Sequence, residues 1–235
     1  MSWNVTTKQY IPAQIGEPWG GGYFAGYISH TADGNPTHAL IVAPRATGAS
    51  GGGYTLTTNY QWKTSSTATA NSASAFDGRA NTDAIIAAGI DDHPAAKFCV
   101  DLTIGGYTDW YLPARLELEI AYFNLKATTN TNGTGSSNIY SVPIRTSNYT
   151  STYPTQTFVT NFRSGGSEAF SSTLNTLTDS AHWTSTDNNT AAWSISMANG
   201  FQTASTFGTT FINNKTFSHR VRAFRRVSLS GYTTI

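Results

Sequence analysis

Between Gly106 and Leu118 the chain reads GYTDWYLPARLEL, with the make-up of the start of an active-site helix: Asp109, Trp110, Pro113, Arg115 and Glu117, followed at once by Glu119. The spacing of the apolar residues argues for another use. Pro113 suits a first helical position. Beyond it Leu116, Ile120 and Phe123 form one apolar stripe, and Leu118, Tyr122 and Leu125 form a second nearly opposite. A helix that is apolar on two sides is packed on two sides. One stripe is expected to face a sheet and the other a neighbouring helix or the N-terminal arm. Glu117 and Glu119 emerge in the gaps, where an ion pair is the expected role. Asp109, Trp110, Pro113 and Glu117 are therefore assigned to architecture, together with Trp183, Trp193 and Arg222 in the C-terminal third.

The rest of the chemical inventory is thin. Cys99 is the sole cysteine, which excludes an internal disulfide and any multi-cysteine metal site. It falls on the apolar face of HPAAKFCVDL and is expected to be a buried thiol. The five histidines, His30, His38, His93, His182 and His219, are scattered without local partners. No pair of acids stands out for glycoside hydrolysis. Asp187-Asn188-Asn189 offers hard oxygen ligands of the kind calcium takes, and a turn explains it equally well. TGASGGGY lacks the Lys-Ser/Thr and the following helix of a phosphate loop. The arginines of HRVRAFRRVSL could contact phosphates, but Arg220, Arg222 and Arg226 are expected to pair internally with Glu117, Glu119 or Asp187. No enzyme activity, metal or cofactor is expected.

Composition bounds the setting. Of 235 residues, 11% are charged, against ~25% in an ordinary soluble domain. Serine, threonine and asparagine fill the gap, while aromatics stay at 13%. Such a surface suits an extracellular or virion protein. A net charge of +1 gives no field to recruit nucleic acid. No run approaches a membrane span, and MSWNVTTKQY lacks the features of a signal peptide. A phage structural protein, or a domain cut from something longer, would reconcile the external composition with the missing export signal.

The elements follow from pattern. Residues 1–20 read as an arm, GGGYFAGYIS and HALIVAPRA as strands, and NTDAIIAAG and HPAAKFCVDL as short helices. Residues 126–182 read as a long ordered insertion anchored by aromatics. AAWSISMANGFQTAS reads as a hairpin turning at Asn199-Gly200, and HRVRAFRRVSL as a closing strand. One domain is expected over 20–229, with a tail at 230–235.

FDGRANT (76–82), PAAKFC (94–99), GGYTDWYLPARLEL (105–118), HWTSTDNNTAAW (182–193) and VRAFRR (221–226) occur in an order that resembles the C-terminal domain of the Legionella collagen-like protein. That family is C-type-lectin-like, and the chain is most similar to its long phage versions. The resemblance implies an α+β fold with two helices flanking small antiparallel sheets, neighbouring terminal strands and long recognition loops. Many bacterial members carry several cysteines and a Gly-X-Y stalk; this chain has one cysteine and no stalk. The fold also hosts copper oxidases that need a cysteine pair, which Cys99 alone cannot supply. The Glu-Pro-Asn, Gln-Pro-Asp and Trp-Asn-Asp motifs of calcium lectins are absent. Uncharged, amide- and hydroxyl-rich loops with interspersed aromatics suit recognition of a host surface glycan or protein, and the resemblance to phage members adds to the expectation of a tail-fibre adhesin on the virion. Thr186, Asp187, Asn188 and Asn189 would contribute, with Phe207, Asn213 and Asn214 in the facing connection. Homo-oligomer formation, possibly as a trimer, and contacts with other virion proteins are expected; nucleic acid and membrane insertion are not. The alternative is a head-decoration, fibre-joint or baseplate component docking through the arm.

Overall fold

Four backbone amides open every helix without a helical acceptor, and the way one helix solves this organises the molecule. In the computed structural model, which describes residues 11–50, 59–133, 136–172, 180–204 and 213–230, the two-striped segment is a helix over Arg115–Leu125. Its start is closed partly by its own Glu117 and partly from outside. The amide of Ala114 donates to Glu117 Oε2 at 2.8 Å. That of Arg115 donates to Thr186 Oγ1 at 3.0 Å, and that of Leu116 to the carbonyl of Ala75 at 2.7 Å. Pro113 therefore lies one residue before the N-cap rather than in the first turn, where its carbonyl accepts the amide of Ser185.

In chain order the elements are β1 (Pro18–Trp19), β2 (Gly22–Ile28), β3 (His38–Val42), α1 (Arg45–Gly48), β4 (Tyr60–Gln61), α2 (Gly78–Ala87), α3 (Pro94–Val100), α4 (Arg115–Leu125), β5 (Ser141–Val142), β6 (Ala181–Asn188), β7 (Ala191–Ser196), β8 (Gln202–Thr203), β9 (Ser218–His219) and β10 (Phe224–Ser228). The chain is mixed α+β with four helices among the described residues. β1, β2, β3 and β10 lie side by side in that order, and β5 also pairs with β2. β6, β7 and β8 make a second antiparallel sheet, and β4 pairs with β9.

Helix α4 lies against β2 on one side and against β6 and β7 on the other. Its second stripe thus meets a sheet, not the helix or arm expected from the sequence. Between the sheets Leu118, Ala121, Tyr122 and Leu125 are fully buried. The helix reaches β2 at a bulge between Phe24 and Gly26. There the side-chain amide of Asn124 donates to the carbonyl of Ala25 at 2.8 Å. A Cβ on Gly26 would lie 2.9 Å from Ile120 Cγ2, and its φ of 134° already disfavours any other residue.

HRVRAFRRVSL is not one strand. Ser218–His219 pairs with β4 and Phe224–Ser228 with β3, so the chain changes sheets between them. The closing strand does neighbour an N-terminal one: Phe224 faces Val42 and Ser228 faces His38. The hairpin around Asn199-Gly200 forms with Ser194 opposite Thr203, across a loop longer than a two-residue turn. Asp91 and Asp92 belong to a 3₁₀ turn, which leaves His93 to start α3. Cys99 is free and fully buried, and burial pushes its thiol well above the usual range.

Glu117 is fully buried, and no ion pair forms to it among the described residues. Oε2 accepts the amides of Gly78 and Ala114, and Oε1 accepts the hydroxyl of Tyr111 at 2.8 Å. One carboxylate thus joins the starts of α2 and α4 to the segment leading into α4. The packing tolerates no side chain at Gly78, where a Cβ would lie 2.3 Å from Glu117 Oε2. Burial raises the Glu117 carboxyl from 4.5 to about 7. Because the folded pKa is the higher one, the contribution of this group is present below pH 4.5 and is lost as pH rises through 7.

Two outcomes follow from this geometry. Glu117→Ala leaves three donors without an acceptor and is expected to cost about 3 kcal/mol or more in urea unfolding. Glu117→Gln keeps an oxygen for the two amides. Relative to the Glu117→Gln variant, the wild type is expected to lose stability between about pH 5 and pH 8, by an amount on the order of 3 kcal/mol. A wild-type-minus-variant difference that stays flat over that range refutes the assignment.

Candidate functional site

The hydroxyl-rich strand β6 is buried along nearly its whole length, and this decides the fate of the residues expected to bind. Thr186 is internal: its hydroxyl donates to the carbonyl of Ser74 at 2.8 Å while capping α4. Asp187 is also internal. Oδ2 accepts the amide of Thr69 at 2.6 Å and pairs with Lys215 Nζ at 2.7 Å. Lys215 is itself fully buried, lies over the Trp62 ring, and has its pKa lowered by that burial against the pull of Asp187. Asn213 is buried and accepts the Ser194 hydroxyl. Asn214 lies beside β7 as expected, bridging to Ala191, but its Oδ1 is bonded to Ser66 and Thr216. Of the expected contacts, Asn188 and Asn189 are exposed, at the tip of the β6–β7 hairpin. Phe207 lies outside the described residues. Thr186, Asp187 and Asn213 are therefore corrected from ligand contacts to parts of a polar core. A buried hydroxyl or carboxylate must find an internal partner, and each of these has one.

The residues assigned to architecture are interior with two exceptions. Trp110 and Trp183 are buried and donate to the carbonyls of Tyr107 and Tyr60. Arg222 is buried, donating to the Ala43 carbonyl at 2.6 Å and pairing with Glu168 at 3.0 Å. Trp193 is half-buried, with the Arg115 guanidinium 4.5 Å above its ring. Asp109 pairs with Arg225 yet remains partly open. Arg222 and Arg226 do serve an internal network, but with partners other than the Glu117, Glu119 or Asp187 expected. Arg222 takes Glu168, Arg225 takes Asp109 and Arg226 takes Asp77, while Glu119 pairs with Arg145 and Asp187 with Lys215.

Gly48-Ala49-Ser50-Gly51-Gly52 carries the Gly-x-Ser-x-Gly spacing of a hydrolase elbow. Ser50 is buried, and its Oγ accepts the amide of Val221 at 2.7 Å rather than meeting a histidine.

An open groove of about 890 Å³ lies elsewhere, between the arm and the long insertion. Ala13–Glu17 form one wall, Thr155–Thr160 the other, and Phe123 and Asn124 at the end of α4 contribute to the lining. The arm is held by main-chain bonds: Gly16 donates to Phe24 at 2.7 Å and Phe24 to Glu17 at 2.9 Å. The insertion is held by Gln156, whose side-chain amide donates to the Ala127 carbonyl, and by the amide of Thr157 bonded to Lys126. At the rim stand two exposed aromatics, Phe158 at 87% and Tyr153 at 56%. Tyr153 meets Phe123 edge-on at 5.3 Å, and the Arg145 guanidinium covers that ring at 3.8 Å.

Glu17 is the one charged residue among the groove's lining. Amides, hydroxyls and aromatic faces of this kind can hydrogen-bond and stack. Groups of three or more potential metal ligands do not occur among the described residues. The sequence signal for this site was the aromatic spacing of the insertion. What it lacked was the arm as the opposite wall. No protein-family model matches the chain, and no curated protein matches it either.

Asp187→Ala strands a buried ammonium and is expected to cost about 3–5 kcal/mol in urea unfolding, where a surface ligand contact would leave the midpoint nearly unchanged.

Proposed function

We propose that the chain is a non-enzymatic binding module of a phage particle, C-type-lectin-like in architecture, that attaches to a host surface glycan or protein as part of a tail-fibre adhesin. The observation that carries this reading is the groove beside Phe158. A phenyl ring at 87% exposure leaves its apolar surface open to a partner, and it stands with Tyr153 over a largely uncharged lining. Aromatic rings of this kind stack on the apolar faces of sugars or fill pockets on a protein partner, at low entropic cost. Support also comes from the five ordered motifs that resemble the lectin-like family and from the low charge of the whole chain.

The groove replaces the β6–β7 end as the place of contact. Assembly into a homo-oligomer, a trimer in the simplest fibre, belongs to the same proposal. The competing brick reading, a decoration, joint or baseplate protein, draws on Ile139 and Ile144. Both are exposed on the loop around β5, at 47% and 38%, where another virion protein could cover them.

Binding of the purified chain to host envelopes tests the choice. Phe158→Ala and Tyr153→Ala are each expected to weaken adhesion by about tenfold, in line with ~1–2 kcal/mol for an exposed aromatic contact, Phe158→Ala without moving the unfolding midpoint. Unchanged adhesion in both variants, or stoichiometric saturation of capsids or fibres with no uptake by envelopes, overturns the adhesin reading.

A further inference from the structure

His30 and His38 lie on either side of a short connection, and β2 and β3 bring their rings to a centroid distance of 4.5 Å. They form one side of a charged cluster completed by Asp77 at the start of α2, Arg226 on β10, and Asp109 and Tyr111 before α4. A cavity of about 200 Å³ opens in this cluster, lined by His38, Arg79, Asp109, Tyr111, Arg226 and Ser228.

The hydrogen-bonding capacity of the lining is only partly used by the protein. Arg226 donates through Nη1 to Asp77 at 2.6 Å and meets His30 Nε2 at 3.3 Å. Its Nε and Nη2 have no protein partner among the described residues. Arg79 holds Asp83 through Nε alone, in an exposed pair one helical turn apart. Such pairs are weak enough to yield to a better partner. His38 bonds Thr37 through Nδ1, which leaves Nε2 open. Burial and the nearby Arg226 hold that ring neutral, its pKa lowered to about 4. Asp109 uses Oδ1 on Arg225, leaving Oδ2.

Two guanidiniums from different elements therefore line the cavity against one carboxylate, and the counter-ions Asp77 and Asp83 are not part of its lining. Guanidinium forks match a planar carboxylate in two parallel bonds. The remaining acceptors, Asp109 Oδ2 and His38 Nε2, suit hydroxyl donors. The volume is below that of a pocket for a drug-sized ligand and suits a single small ring. A phosphate, with its greater charge, would be opposed by Asp109.

We propose that this cavity binds one carboxylate-bearing sugar residue, its acid group on Arg226 and Arg79 and its hydroxyls toward Asp109 and His38. The site is separate from the groove beside Phe158 and does not depend on that groove's function.

Titration of the whole chain with sodium glucuronate, glucose and inorganic phosphate tests it, by calorimetry and by the imidazole resonances of His38. Glucuronate is expected to bind saturably and to shift the His38 signals, with glucose at least about tenfold weaker. Arg79→Gln removes only an exposed ion pair, so it should keep the wild-type unfolding midpoint while weakening glucuronate by about tenfold. Phe158→Ala should leave glucuronate binding unchanged. The proposal is overturned if glucose or phosphate binds as tightly as glucuronate, if none binds saturably, or if Arg79→Gln binds as the wild type does.

Discussion

Leaving a buried polar atom unbonded is costly, and in this chain that constraint falls largely on uncharged hydroxyls and amides. Glu117 shows it most directly. Its two oxygens take the amides of Gly78 and Ala114 and the hydroxyl of Tyr111, so the start of one helix cannot shift without the start of the other. A carboxylate in this position acts as an acceptor for donors that would otherwise be orphaned, which is why burial rather than pairing sets its pKa.

The same constraint runs through β6. Thr184, Ser185 and Thr186 are all buried. Thr184 donates to the Trp193 carbonyl, Ser185 accepts the side-chain amide of Asn81, and Thr186 joins Ser74 to the first turn of α4. A stretch of Ser and Thr here forms the seam between a sheet and two helices. The low charge of the composition therefore reflects the interior as well as the surface. The buried ion pairs Asp187–Lys215 and Arg222–Glu168 each join segments distant in the chain.

Two open recesses lie apart from this polar core. The groove between the arm and the insertion offers aromatic faces over a lining whose one charged residue is Glu17. The small cavity by His38 and Arg226 offers guanidiniums with unused donors. The two differ in charge, and they share no residue. They thus suit different chemical features, whether of one ligand or of two.

The sequence by itself determined the elements whose signal is local. The two apolar stripes marked α4, Pro94 marked the start of α3, and Asn199-Gly200 marked a hairpin. Cys99 was legible as a buried thiol from its place on an apolar face. Periodicity reports which sides of an element are covered; it does not report by what, so the second stripe of α4 met β6 and β7 where a helix was expected. Pairing of charges was equally beyond reach. An arginine's partner depends on which segments cross it, and Arg222 found Glu168 rather than any acid of α4. Only the tertiary structure decided that Asp187 and Thr186 face inward while Phe158 faces out. A hydroxyl or carboxylate looks the same in sequence whether water or a distant backbone amide satisfies it, and the folded neighbours alone settle which.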